Sequence, residues 1–273
     1  VGAILLAMRL SLLPLLVCPD CRENLVLRDG AVYESHDLAT GLLDCLACER
    51  SFPIEEGILR AMPSQLLVEQ EREIKARDEQ VDEYEAMWAL NLFGAVEVPM
   101  TLRRLASRGE HLLLEAGCGT GRMTQQLAGR AGDLVSVDFS FESLRVNRDK
   151  VKAAGVQHVD LIQADLCNLP LRDGVFDRVV SCQVLEHIPG HEGRSRAMTE
   201  LSRVARPGAR VIVSAYQHSL FTSQKQGEHS GGIPFFRFTR SEFRSLLASR
   251  LRVDSITGKL VYLYLAQCTK EAV

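Results

Sequence analysis

Beyond residue 111 the chain alternates between two hydrophobic patterns. Short apolar runs at 111–116 (HLLLEA), 134–138 (LVSVD), 159–165 (VDLIQAD), 176–182 (FDRVVSC) and 209–215 (ARVIVSA) have the length and composition of strands. Stretches 125–130, 141–154, 194–205 and 239–250 instead read as helices. This alternation predicts a doubly wound α/β domain around a mostly parallel sheet. The C-terminus departs from it, because 251–256 and 260–268 follow one another without a helix and predict a closing hairpin.

Upstream the pattern differs. Residues 15–63 carry two short alternating runs punctuated by turn residues, and 64–106 are first charged, then amphipathic, which predicts one or two connecting helices. The expected organisation is a small module at 1–63 with an N-terminal extension, a helical linker or lid at 64–106, and the large domain at 107–273. Residues 1–17 are mostly apolar, yet Arg9 interrupts the run, Pro14 breaks a helix and no small-residue cleavage site follows, so it is expected to be neither a signal sequence nor a membrane anchor. A chain that opens on Val with Met8 close behind is read as carrying an extension upstream of an alternative start.

Composition narrows the class. With 46% hydrophobic and 25% charged residues in 273, the chain has the make-up of an ordinary globular protein, not of a disordered or collagen-like one. A formal charge of -3 argues against wholesale polyanion binding. Four of the eight cysteines form two C-x-x-C pairs, Cys18 with Cys21 and Cys45 with Cys48. Two such turns can set four thiolates around one Zn2+ at about 2.3 Å, a closed and therefore structural site. Too few cysteines for a disulfide scaffold, and their pairing, point to a reducing, cytoplasmic setting.

The segment from LLVCPDC to CLACERSFPIEEGILRAMP resembles the small zinc-ribbon proteins that activate tRNA- and protein-modifying methyltransferases, and more distantly the zinc-finger ends of certain ribosomal RNA guanine methyltransferases. Residues 1–60, however, hold five Arg/Lys against nine Asp/Glu, a poor phosphate clamp. The ribbon is therefore read as protein-facing, packed on its own large domain.

The first strand of that domain runs into AGCGTGR and then a helix. Glu115, Gly117, Gly119 and Gly121 form an E-x-G-x-G-x-G loop, which turns sharply and lets backbone approach a ligand. The spacing differs from the dinucleotide G-x-G-x-x-G, and the preceding acid suits an amino-acid ammonium group. Asp138 ends the second strand, where a carboxylate can accept from ribose hydroxyls, and Asp165 ends the third. With FDRVVSCQVLEHIP and ELSRVARPGARVIVS, the set resembles class I S-adenosylmethionine-dependent methyltransferases of the type 11 kind over roughly residues 80 to 270. The resemblance implies a Rossmann-like seven-stranded sheet and a cofactor site. In that site the loop would hold the methionine part, Asp138 and Phe139 the ribose side, Asp165 and the Leu166 backbone the adenine edge, and Gln183 the sulfonium side.

His187, in LEHIP at the mouth of the sheet, is the candidate general base, with Glu186 beside it. No Asn-Pro-Pro-aromatic motif follows the fourth strand, which weighs against amino-methylation of adenine or glutamine. Ser181 rather than proline precedes Cys182, which weighs against covalent cytosine methylation. Acceptor selection is expected around Tyr84, Trp88 and Phe93 and in a lid at 216–238 carrying His218, Glu228, His229, Phe235 and Phe236. The expected activity is methyl transfer to an O or N nucleophile of a small or medium organic acceptor. The alternatives are an RNA- or ribosome-directed enzyme and a non-catalytic cofactor-binding activator. No membrane association is expected; a protein partner could dock through the ribbon.

Overall fold

A computed structural model describes residues 7–66, 68–79, 81, 88–219, 222, 224–229, 232–259 and 262–272. The side chains of Trp88 and Phe93, and all of Tyr84, lie outside the described residues, so the acceptor role expected of them is not addressed.

The large domain holds seven neighbouring strands. In spatial order these are β8 (Val159–Gln163), β7 (Asp133–Asp138), β6 (Leu112–Ala116), β9 (Phe176–Cys182), β10 (Ala205–Tyr216), β14 (Leu263–Thr269) and β13 (Arg252–Lys259). The first five run parallel and β14 lies antiparallel between β10 and β13, so the closing hairpin inserts its second strand next to the parallel set. Parallel strands are covered on both faces, which explains why β6, β7 and β8 read as nearly continuous apolar runs. Helices α1 (Val68–Glu79), α2 (Trp88–Leu105), α3 (Thr124–Ala128), α4 (Phe141–Ala153), α5 (Gly190–Val204) and α6 (Arg240–Ala248) flank the sheet. Local chemistry starts two of them: the Ser140 hydroxyl accepts from the Ser143 N–H ahead of α4, and Thr239 with Glu242 forms a capping box on α6.

The N-terminal module is a ribbon of β1 (Leu25–Leu27), β2 (Val32–Glu34), β3 (Asp37–Cys45), β4 (Ser51–Glu55) and β5 (Ile58–Arg60). Its last strand pairs in parallel with β8, Ile58 opposite Leu161 and Arg60 opposite Gln163, so ribbon and large domain share one twelve-stranded sheet among the described residues. The cores merge too: Leu12, Leu16, Phe52, Ile54 and Leu59 lie in one buried cluster with Val135, Ile162, Phe176 and Met198. A module of this size lacks a sufficient core of its own, and the shared face supplies the missing burial. Ala7, Met8, Leu12, Leu16 and Val17 of the apolar N-terminal run are thus core, and Arg9 interrupts it for a reason. Its guanidinium pairs with the buried Asp160 of β8 at 2.6 and 3.0 Å, and its backbone N–H donates to the same carboxylate at 2.9 Å. Among the described residues no helix is long and apolar enough to cross a membrane.

Candidate functional site

The chain crosses from one side of the sheet to the other between β8 and β9, and a cavity opens at the carboxyl ends of the strands beside that switch point. It encloses about 1320 Å³, its open mouth included. Glu115, Gly117, Gly119, Asp138, Phe139, Asp165, Leu166, Gln183 and His187 all line it. Gly121 does not: a Cβ there would stand 2.1 Å from the Asn147 side chain, so this glycine packs the loop against α4.

The glycines divide the work. At Gly117 a Cβ would meet Val184 at 2.2 Å, whereas at Gly119 it would meet nothing within 4 Å and project into open space. Both have positive φ, which glycine adopts without penalty. The Gly119 N–H donates to Asp138 at 2.7 Å, and the Ser140 N–H donates to its other oxygen at 3.0 Å. Burial nevertheless outweighs these bonds and raises the Asp138 carboxyl above its ordinary value. Glu115 is similar: burial pushes it up to about 7, offset by the hydroxyls of Thr124 at 2.7 Å and Ser136 at 2.9 Å. A ligand ammonium beside it would restore the carboxylate.

On the far side, Asp165 accepts from the Cys167 N–H at 2.9 Å and from Gln70 Nε2 at 3.0 Å. Gln70 belongs to α1, which also sends Glu73 and Arg77 into the cavity wall, so this helix roofs the site. Gln183 holds a left-handed backbone, φ 59°, its N–H donating to Ser214 Oγ at 3.1 Å. Its amide donates to Glu97, a buried acid on α2 that also accepts from Ser214 Oγ and pairs with Arg122 at 2.9 Å.

His187 is buried, and its Nδ1 lies 2.8 Å from the Pro234 carbonyl. A carbonyl only accepts, so Nδ1 carries the proton and Nε2 keeps the lone pair. Burial first, then the Arg77 charge, hold the imidazole well below its usual value. Its ring neighbours are Tyr216 at 5.6 Å and His229 at 5.8 Å between centroids. The segment expected to be a lid contributes a two-stranded sheet, β11 (Gln226–Glu228) with β12 (Pro234–Phe236), and Ile233 to the cavity wall.

At the other end of the chain Cys18, Cys21, Cys45 and Cys48 bring their sulfurs within 4.8 Å of one another, with Cys18–Cys48 at 3.6 Å and Cys21–Cys45 at 3.4 Å. A tetrahedron of thiolates around Zn2+ needs sulfurs roughly 3.8 Å apart, so the donor set fits a closed structural zinc.

Sequence reasoning missed Gln70, Glu73, Arg77, Glu97 and Arg122. Glu97 had a visible signal as the lone acid in the largely apolar α2. The α1 residues had none, since a charged helix gives no sign of which face meets a ligand.

Two family models match, "Methyltransferase domain" over residues 114–213 and "Trm112p-like protein" over residues 9–57. Residues 114–213 thus match a methyltransferase domain, and residues 9–57 ahead of them a Trm112p-like ribbon. A demethylmenaquinone methyltransferase of Anoxybacillus flavithermus is 34% identical over 115 residues, which are 41% of this chain and 47% of that protein. The chain thus spans about half the length of the curated relatives it matches. Among solved structures, a geranyl diphosphate C-methyltransferase of Streptomyces coelicolor, in complex with S-adenosylhomocysteine, superposes with a TM-score of 0.61 at 14% identity, covering 76% of this chain and all of that one. A complex of DhpI with SAH gives 0.59 at 21% identity over 75% of this chain and 98% of that one. The large domain has the fold of S-adenosylmethionine-dependent methyltransferases.

Proposed function

We propose that the chain is an S-adenosylmethionine-dependent methyltransferase acting on an O or N nucleophile of a small or medium organic acceptor. The observation that carries this reading is the opening at Gly119, which faces one cavity together with Glu115, Asp138 and Asp165. What S-adenosylmethionine supplies when bound is an already activated methyl group. The protein then has to bind, orient and exclude water. Glu115 would accept from the cofactor ammonium, Asp138 from the ribose hydroxyls beside Phe139, and Asp165 with the Leu166 backbone would meet the adenine edge. Gln183, held by Glu97, would line the sulfonium side. His187 would take the acceptor's proton at Nε2. The acceptor enters past Ile188, Pro189 and Ile233, an apolar wall that suits an organic molecule better than a phosphate backbone. The ribbon serves this domain in cis, in a cytoplasmic protein.

The first test is calorimetric binding of S-adenosylhomocysteine, followed by a mass-spectrometric search of cell extract for products heavier by one methylene. Transfer to total RNA, with none to small molecules, would favour the RNA-directed reading. Cofactor binding with no transfer to any fraction would favour a non-catalytic activator.

A further inference from the structure

Arg77 is a cation in the cavity wall with an unfilled hydrogen-bond donor. It reaches the cavity wall from α1, with Nε buried and without a hydrogen-bond partner among the described residues. Its nearest counter-charge is Glu73, whose Oε1 lies 3.5 Å from Nη2, the outer limit of a hydrogen bond. Burial pushes the Glu73 carboxyl up to about 7, so near neutral pH that partner carries only part of a charge. The other titratable groups that feel Arg77 come from three more elements: Asp138 at the end of β7, Glu186 and His187 after β9, and His229 beyond β11. Asp138 is committed to the Gly119 and Ser140 N–H groups. Glu186 is fully buried and its carboxyl is pushed up to about 8, and the two histidines are held neutral. None of them hydrogen-bonds to the guanidinium among the described residues, so its Nε–H stays open toward the cavity.

Resting on the methyltransferase reading above, we propose that Arg77 binds the acceptor as an oxyanion, so that the substrates are phenols, enols or carboxylic acids and not amines. A guanidinium with an unfilled Nε–H offers charge-assisted hydrogen bonds to such an oxygen, while an ammonium in the same place meets a like charge across a low-dielectric cavity. The base agrees with this choice. His187 is held neutral with its Nδ1–H fixed on the Pro234 carbonyl, so its Nε2 can take the proton of such an acceptor. The proton lost by the hydroxyl leaves through His187 Nε2 to solvent. The apolar residues around it, Ile188, Pro189 and Ile233, accommodate a ring or chain carrying one acidic group.

The test uses 4-nitrophenol on the whole protein saturated with S-adenosylhomocysteine, since nitrophenolate is read by its absorbance. Bound nitrophenol should ionise about 1 to 3 pH units below free nitrophenol. Arg77→Gln should abolish the shift and weaken binding by about 10-fold or more, Arg77→Lys should keep part of both, and 4-nitroaniline should bind the native protein more weakly than nitrophenol. An unchanged shift in Arg77→Gln, or equal binding of the amine, overturns the proposal while leaving the methyltransferase reading intact. If Arg77→Gln weakens S-adenosylhomocysteine but not 5'-methylthioadenosine, which lacks the carboxylate, the oxyanion is the cofactor's own and the acceptor assignment falls. Failure of the native protein to bind S-adenosylhomocysteine would instead overturn the methyltransferase reading itself.

Discussion

Asp20, inside the first C-x-x-C turn, accepts hydrogen bonds from both the backbone N–H and the hydroxyl of Ser64, at 2.9 and 3.1 Å. Ser64 stands just before α1, the helix that roofs the cofactor cavity with Gln70, Glu73 and Arg77. The metal turn is thereby tied to the wall of the cavity.

Metal removal should therefore reach the cavity. We expect purified protein to hold one zinc per chain, and chelation or Cys45→Ser to lower the melting temperature and also weaken S-adenosylhomocysteine binding. Asp20→Ala, which leaves the four thiols in place, should weaken cofactor binding less and cost about 1 to 2 kcal/mol of stability. Metal analysis, thermal melts and calorimetry check the three statements. Less than half an equivalent of zinc in carefully purified protein would refute the first.

The glycine loop and its carboxylate make a cleaner case. Gly119→Val would push a side chain into space left open for ligand, with added strain from φ 51°, so cofactor binding should vanish while the fold survives. Asp138→Ala removes a charged acceptor and should weaken binding by roughly 10- to 100-fold. Unchanged affinity in both variants would place the cofactor elsewhere.

How much of this was readable in the chain depends on which force sets each feature. The strands from β6 to β10 announce themselves because burial on both faces demands apolar runs, and the loop at Gly117 and Gly119 does so because backbone approach demands glycine. The pairing of β5 with β8 was invisible, since sheet hydrogen bonds belong to the backbone and leave no mark on side-chain identity. Gly121 looked like its neighbours, yet only three dimensions show that it makes room for Asn147. Glu97 and Arg77 were legible as charges but not as members of a site, because their partners come from distant segments.

Glu97 anchors three elements at once, so its loss should be costly. Glu97→Ala removes the carboxylate shared by Arg122, Gln183 and Ser214, and breaking a buried pair of this kind costs about 3 to 5 kcal/mol. Glu97→Gln should fold better yet still bind S-adenosylhomocysteine more weakly, because Gln183 loses a charged acceptor. Denaturation curves and calorimetry on the two variants test this; full affinity in Glu97→Gln would mean that the cluster is structural only.

Glu186 predicts a pH dependence of stability. Among the described residues neither of its carboxylate oxygens has a side-chain hydrogen-bond partner, and burial pushes the group up to about 8 from an ordinary value of 4.5. The folded state therefore holds a proton that the unfolded chain has released, so stability present below pH 4.5 is lost as pH rises toward about 8. Glu186→Gln cannot titrate. Its melting temperature should exceed that of the native protein by an amount that grows across this window, reaches the order of a few kcal/mol in stability and then levels off. A constant difference at all pH values would show that the carboxyl is ionised in the fold.

The last expectation concerns His187, whose Nδ1–H is fixed on the Pro234 carbonyl and whose Nε2 is left to accept. General-base assistance typically contributes about 10²- to 10⁴-fold. Because burial and Arg77 hold this imidazole well below its usual value, it stays neutral and competent through the neutral range, but as a weak base. His187→Ala should therefore reduce turnover by about 10²-fold, the lower end of that range, and leave cofactor affinity nearly unchanged. Raising the pH should restore much of the lost rate, since an acidic acceptor then ionises without help, whereas a packing defect would not respond to pH. A loss of only twofold would make the histidine a packing residue. If cofactor affinity falls together with turnover, His187 is shaping the cofactor side of the cavity, and the base should be sought at His229, whose ring lies 5.8 Å from it, or at His218.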